Sequence, residues 1–520
     1  MFPAPAELPD DAVALQALLR AALAEIERLR LQIAGLQRHR FGRRSERLDE
    51  AALQQGVEDL EQSVAARMAD LEAVAPIATK SAPDPQAATP PQRNRGALPA
   101  HLPRIEVVVD PADKVCPCCG GTLHVIGEDR SEMLDTIPAQ VRVRLIRRPR
   151  YGCRACEGAV VQATAPERPI DGGMATEALL AQVLIGKYAD HLPLYRQAQI
   201  FARQGITLDR STLCNWVGRA CWWLEPLHAL MLQTVLASPT LFADDTTLPV
   251  LDPGRGRTKT GRLWCYAVDN RPWHGPGHPA AVYLYSADRK AEHPAAHLRD
   301  FRGLLQVDGY AGFGRLVKAA SDAPQLAFCW AHARRKFHDI QAATPSPLAA
   351  EALRRIGLLY EVEADIHGQS AEQRRAVRQQ RSRPTVDALH TWLNEQLARI
   401  SGRSALAQAI RYALNHWDGL ILCLDDGRLE LDTNTVERAM RPVALGRKNA
   451  LFAGADSGAH HWAVIATLIQ TAKLNNIDPL AWLTDVLERI VSGRTKRTEL
   501  HTLLPWNWTT NASSPAFSSA

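Results

Sequence analysis

The chain has 520 residues, enough for several modules at roughly 100–200 residues each, and its 46% hydrophobic and 22% charged content excludes wholesale disorder and collagen-like or mucin-like sequence. The 61 Lys and Arg against 56 Asp and Glu leave a balance of +5, too small to announce a nucleic-acid partner, so the distribution of charge must decide. No apolar run approaches the ~18 residues needed to cross a bilayer, and Met1-Phe2-Pro3 does not begin a secretory signal, so a soluble cytoplasmic protein is expected, with no membrane partner and its 10 cysteines reduced.

Residues 11–48 predict a proline-free helix with a heptad pattern, Leu19, Ile26 and Ile33 at a and Leu15, Leu29 and Leu36 at d. Ile at a with Leu at d favours a two-stranded parallel coiled coil, and Glu25 at g would face Arg30 at e of a second copy. One amphipathic helix packed on its own protein fits the same pattern. The heptad ends in an arginine run that includes Arg43 and Arg44, which either places paired positive charge for DNA at the mouth of a dimer or forms a solvated face. Residues 75–103, rich in Pro and Ala, read as a flexible, partly extended linker.

Residues 104–170 hold two Cys-x2-Cys pairs, Cys116 with Cys119 and Cys153 with Cys156, each followed by Gly or Glu-Gly. Two thiolates from one tight turn can reach the same ion, and two such turns complete a tetrahedral zinc site, so these four cysteines are the expected ligands of a structural Zn2+ in a zinc ribbon. Cys118 could exchange with a neighbour, and His124 is a weaker candidate. The strand-like residues 141–146 lie between the pairs, and Arg142, Arg144, Arg147 and Arg148 alternate along or beside the expected hairpin as a phosphate-binding patch.

Residues 171–235 predict three helices. The second covers about 194–203, Gly205 makes a turn, and the third begins near Asp209 with Ser211 and Thr212 as caps and Leu213, Trp216 and Val217 inward. This is the plan of a helix-turn-helix, with Arg210, Ser211, Thr212 and Asn215 positioned for DNA; it is equally the plan of an ordinary three-helix core.

After Pro239 the pattern turns to strands, at about 241–250, 262–268 and 281–285. A helix near 295–301, a strand at 303–307, another helix and a strand at 325–329 complete the order of an RNase H-like fold, in which the first and fourth strands are neighbours. Asp244 or Asp245 would then meet Asp308, and clustered carboxylates call for divalent cations, two of which can clamp the attacking and leaving oxygens of a phosphodiester. A third carboxylate is expected from a later helix, and Glu437 is the best candidate, with Arg438, Arg441, Arg447 and Lys448 around it as donors to DNA phosphate. The competing role for Glu437 is a capping box with Asn434. Cys329 and His332 could be taken for half of a metal site but read better as a strand-to-helix junction, with His332 as a further support for the carboxylates and Arg334 and Arg335 as phosphate contacts.

These motifs together carry a resemblance: Ala243-Asp244-Asp245-Thr246, Thr260-Gly261-Arg262-Leu263-Trp264, Val307-Asp308-Gly309-Tyr310, Cys329 to Phe337, Asn434 to Arg441, and Gly446-Arg447-Lys448-Asn449 before Leu451-Phe452-Ala453-Gly454. In that order, over nearly the whole chain, the sequence resembles the large transposases of the insertion-sequence sixty-six family, bacterial DDE-type enzymes. The resemblance implies Asp244, rather than Asp245, as the first catalytic acid, with Asp308 and Glu437 as the second and third, holding two Mg2+ (or Mn2+) ions. It implies binding of terminal inverted repeats and target DNA, metal-dependent strand cleavage and strand transfer, small accessory proteins of the same element as partners, and work at the bacterial nucleoid. The long interval from Asp308 to Glu437 implies an inserted helical subdomain at about 349–424. One departure is Asp245, where the family often carries Glu.

The expected architecture is therefore multidomain α+β: coiled coil, zinc ribbon, helix-turn-helix-like segment, an RNase H-like core at 239–455 with its insertion, a C-terminal helical segment at 456–508 and a disordered tail at 509–520. Two rivals fit the residues: a nuclease of the same fold that does not join strands, and a non-catalytic DNA-binding regulator.

Overall fold

The computed structural model describes residues 141–152, 160–252, 257–317 and 323–509. The expected coiled coil, the linker, Arg43, Arg44, Cys116, Cys118, Cys119, His124, Cys153, Cys156 and residues 510–520 lie outside the described residues.

A short antiparallel hairpin, β1 (Arg150–Gly152) with β2 (Val160–Gln162), comes first. The expected strand at 141–146 does not form: residues 141–149 carry no regular secondary structure, and Val143 and Leu145 are 93% and 80% exposed. Alternation defines a strand register only where one face is buried, and here neither is.

Three helices follow, α1 (Glu177–Tyr188), α2 (Leu194–Arg203) and α3 (Arg210–Leu236). Gly205, at φ +77°, makes the turn that only a residue without Cβ enters freely. Gln197 donates to the Val183 and Leu192 carbonyls and ties α2 to α1. Leu213, Trp216 and Val217 are buried as expected, but the N-cap of α3 is Asp209; Ser211 and Thr212 already lie in the first turn.

α3 leads into a five-stranded sheet of β3 (Thr240–Asp252), β4 (Arg257–Val268), β5 (Ala280–Ser286), β6 (Leu304–Val307) and β7 (Gln325–Phe328), in the order β5-β4-β3-β6-β7. β3 to β5 are antiparallel, whereas β6 and β7 add parallel to β3. Leu241, Phe242 and Ala243 are all buried, the signature of a central strand covered on both faces. Two short helices, α4 (Glu292–His297) and α5 (Ala311–Val317), connect β5 to β6 and follow β6.

The outer edge of β5 would present unpaired backbone groups, a common route to aggregation. Here it is covered. On α13 (Asp456–Leu474), Thr467 Oγ1 accepts from Tyr283 N at 2.9 Å and Thr471 Oγ1 accepts from Ala281 N at 3.2 Å, while His228 of α3 bonds the Tyr283 carbonyl. The C-terminal α14 (Pro479–Val491), capped by Asp478, closes the same core.

A second core belongs to the helices between β7 and α12 (Asn434–Ala450), α6 (Trp330–Ala343), α7 (Pro347–Ile366), α9 (Arg383–Arg399), α10 (Ala405–Asn415) and α11 (Trp417–Asp425), with the short α8 (Ala371–Val377) between α7 and α9 in the chain. This core starts at Trp330, Ala333 and Phe337, earlier than the insertion expected from position 349. Arg374 and Arg378 are wholly enclosed in it: Arg378 pairs with Glu363 at 2.6 Å and Arg374 with Glu430 at 2.8 Å. These pairs join the helices of the insertion to its exit. At that exit Glu430 N donates to the Gln306 side chain of β6 and Trp330 N donates to the Leu431 carbonyl. The returning chain is thereby pinned beside the ends of β6 and β7, which sets where α12 begins. Among the described residues, no helix is long and apolar enough to cross a membrane.

Candidate active site

Strand alternation sends Asp244 and Asp245 of β3 to opposite faces, and their surroundings differ accordingly. The Asp245 side chain is 1% exposed and accepts from Arg262 of β4 at 3.0 Å and from Arg289, beyond β5, through Nη2 at 2.7 Å and Nε at 2.9 Å. Its charge is already neutralised. Asp244 sees the reverse: burial first, then the neighbouring Asp308 carboxylate, push its carboxyl up to about 7, with Asp245 and Glu437 adding to the rise and the Asp245 N–H, 2.7 Å from Oδ1, opposing it.

Asp308 follows β6, the parallel neighbour of β3. Gly309 turns the chain directly behind it at φ +95°, a conformation that disfavours any side chain. Tyr310 N donates to Asp308 Oδ1 at 2.8 Å and the Tyr412 hydroxyl donates to the Asp308 carbonyl at 2.8 Å, so one bond holds the carboxylate and the other holds its backbone. A Cβ on Gly309 would stand 2.8 Å from the Tyr412 hydroxyl oxygen. Gly309→Ala is accordingly expected to destabilise the protein by about 1–2 kcal/mol and to displace Asp308; thermal melting together with a divalent-cation titration checks both, and unchanged values in each would contradict this account of the turn.

Glu437 lies in the first turn of α12. The capping box with Asn434 does not form: Thr433 occupies the N-cap, and the Asn434 side chain donates to Asp432 at 2.6 Å. Glu437 is one residue too far along for the reciprocal bond, and its Oε1 instead accepts from the Thr433 hydroxyl at 3.3 Å. Next to it, His332 on the first turn of α6 places Nδ1 3.8 Å from Glu437 Oε1, and Cys329 Sγ accepts from Thr433 N at 3.4 Å. Burial lowers the His332 pKa despite the pull of Glu437 and Asp308.

Among the described residues the metal-ligating atoms here that all lie within 4.8 Å of one another are those of Cys329, His332 and Glu437; Asp308, just past β6, and Glu437 of α12 both act on the charge of Asp244 on β3, while Arg262 and Arg289 pair with Asp245. An oxygen-rich, negatively charged set of this kind fits a hard divalent cation.

The expected DNA contacts divide by position. Arg438, Arg441 and Lys448 are exposed on α12, and Arg335 is exposed with Arg334 half-buried on α6. Arg447 turns inward, donating to the Thr247 carbonyl and to Thr247 Oγ1, and fastens α12 to β3. Arg210 and Asn215 are exposed at the start of α3. Arg142, Arg144, Arg147 and Arg148 are exposed ahead of β1, and Arg148 Nε also donates to the Ala163 carbonyl at 2.9 Å. Sequence reasoning missed Arg289, Tyr310, Tyr412 and Thr433 as supports of the acids. Tyr310 was visible in its motif, but no spacing rule connects Arg289 or Tyr412 to β3 or β6.

Comparison with known proteins adds family relationships. Residues 172–461 match the family model described as the transposase IS66 family, residues 113–157 its zinc-finger binding domain, and residues 467–506 the IS66 C-terminal element. Residues 28–107 match a model described as transposase C of IS166 homeodomain. Similar sequences include two proteins of Sinorhizobium fredii (strain NBRC 101917 / NGR234): the uncharacterized protein y4jD, 53% identical over 80% of this chain and 82% of its own length, and the uncharacterized protein y4qI, 40% identical over 98% and 99%.

Proposed function

Because the chain belongs to the IS66 transposase family, with the family's zinc-finger domain and DNA as its partner, we propose that it binds the terminal inverted repeats of an insertion sequence and carries out metal-dependent strand cleavage and strand transfer. The observation that supports this reading is the Asp244 carboxyl, buried beside Asp308 and within the influence of Glu437 and raised to about 7, on the strand that pairs with the one leading to Asp308. The sheet order, three antiparallel strands followed by two parallel additions beside the first, supports an RNase H-like core.

In this reading Asp244, Asp308 and Glu437 hold two Mg2+ or Mn2+ ions. When bound, such ions supply activation of a water or a 3′ hydroxyl and stabilisation of the leaving oxygen. The protein's own residues do the rest. Asp245 with Arg262 and Arg289 stiffens β3 behind Asp244, the Tyr310 N–H orients Asp308, and Arg447 keeps α12, and with it Glu437, against β3. Arg438, Arg441, Lys448, Arg334 and Arg335 hold the phosphate backbone near the acids, and Arg210 and Asn215 on α3 contact the element end. Cys116, Cys119, Cys153 and Cys156 close a structural Zn2+ site within the family's zinc-finger segment, flanked by Arg142, Arg144, Arg147 and Arg148. Residues 11–48, with Arg43 and Arg44, pair two copies.

The test is to incubate zinc-loaded protein and Mg2+ with pre-cleaved element ends and supercoiled plasmid. Covalent joining of end to plasmid is expected. Nicking without joining would favour a nuclease of the same fold, and end binding without either product would favour a regulator.

A further inference from the structure

We propose that His332 is a direct ligand on the Glu437 side of the metal centre, which makes that position a mixed nitrogen–oxygen site that favours Mn2+ over Mg2+. The inference rests on the carboxylate reading above and adds a ligand and a metal preference to it.

The Nδ1 atom of His332 is buried and makes no hydrogen bond among the described residues. A buried ring nitrogen without a partner is uncommon in a well-packed protein and asks for an explanation. At 3.8 Å from Glu437 Oε1 the nitrogen is too distant for a hydrogen bond. The separation does suit two ligands of one ion, since bonds of about 2.1 Å place neighbouring ligand atoms about 3–4 Å apart. The ligand atoms of Cys329, His332 and Glu437 all lie within 4.8 Å of one another. Cys329 has a separate task. Its sulfur accepts the Thr433 N–H, which joins the start of α6 to the start of α12 and keeps His332 and Glu437 opposed.

A second cluster shows what a satisfied group looks like. In Asp288, Glu292 and His293, the His293 ring bonds Asp288 at 2.7 Å and Lys290 pairs with Asp288 at 3.1 Å, so the histidine has its partner without an ion. His332 has none. Imidazole nitrogen is a poor ligand for Mg2+; Mn2+, at the weak end of the first-row divalent series, accepts it better than Mg2+ does, and Co2+ and Zn2+ better still, so a nitrogen at this position shifts the preference away from Mg2+.

The test uses full-length, zinc-loaded protein titrated with Mn2+ and examined by pulsed electron paramagnetic resonance. Expected is a directly coordinated 14N coupling in wild type, converted to a 15N pattern by [15N]histidine labelling, absent in His332→Gln and retained in His293→Gln. The labelling arm needs no substitution and so does not depend on how a variant folds. His332→Gln should also weaken Mn2+ binding about tenfold and Mg2+ binding less. Bound Mn2+ that Asp308→Asn releases, but that shows no nitrogen coupling in wild type, would overturn the histidine ligand and leave the carboxylate site standing. Mn2+ binding unchanged by Asp308→Asn would remove the carboxylate site, and this proposal with it.

Discussion

Asp308→Asn is expected to lose strand cleavage and strand transfer together, by about 1,000-fold or more, while binding to element ends is retained. A loss of that size corresponds to roughly 4 kcal/mol of transition-state stabilisation, within what removal of a metal-holding carboxylate accounts for. The substitution is mild in shape: the Asn carbonyl oxygen can still accept the Tyr310 N–H that Asp308 Oδ1 now accepts. Only the charge goes. A second readout follows from that charge. The Asp244 carboxyl is raised to about 7, first by burial and then by Asp308. A carboxyl raised on folding holds its proton more tightly in the folded state, so stability is greatest below the unfolded value near 4 and is lost as pH rises through about 7. Removing Asp308 lifts part of that penalty. Without divalent cations, the variant should therefore melt above wild type at pH 8, with the difference shrinking as the pH falls towards 4. Added Mg2+ should raise the melting temperature of wild type at pH 8 and barely move the variant. Retained cleavage, or a variant that melts below wild type at pH 8 without metal, would defeat the assignment.

The same conservative change at Asp245 should have the opposite character. Asp245→Asn is expected to destabilise the fold by about 3 kcal/mol, because breaking a buried ion pair strands the remaining charges. The figure sits at the low end for such pairs, since Arg262 and Arg289 are 20% and 38% exposed and water relieves part of the cost. Denaturant unfolding measures this directly. The companion Asp244→Asn should be as stable as wild type or more so at pH 8 and catalytically dead. Two adjacent aspartates, given the same substitution, would thus separate into a structural and a catalytic residue. Equal unfolding midpoints for Asp245→Asn and wild type would show that the Arg262 and Arg289 contacts do not hold β3.

Much of this arrangement could be read from local patterns. The strands of the sheet fall where apolar runs between turn residues put them, and α2 occupies the expected residues. The parallel pairing of β3 with β6, which makes neighbours of Asp244 and Asp308, follows from the order of strands and helices. Local pattern misled where no burial stood behind it. Residues 141–146 alternate as well as a strand does, yet with Val143 and Leu145 exposed there is nothing to select a register. It also misplaced the cap of α3, because Ser and Thr suit both the N-cap and the first turn, and only the backbone geometry at Asp209 separates the two.

From the sequence alone came the near-balanced total charge with arginines gathered in patches, the paired cysteines, the strand order and three acids in a workable order. These are short-range properties, carried by residue type and by periods of two and of three to four. The tertiary structure alone decided which aspartate of the pair is neutralised, that Glu437 does not serve as a capping-box acid, that Arg447 grips β3, and that Arg374, Arg378 and Glu430 return the insertion to the ends of β6 and β7. Each depends on a partner far away in the chain. Alternation places Asp244 and Asp245 on opposite faces but cannot say which face holds Arg262 and Arg289, and that long-range pairing is what leaves Asp244 among uncompensated carboxylates.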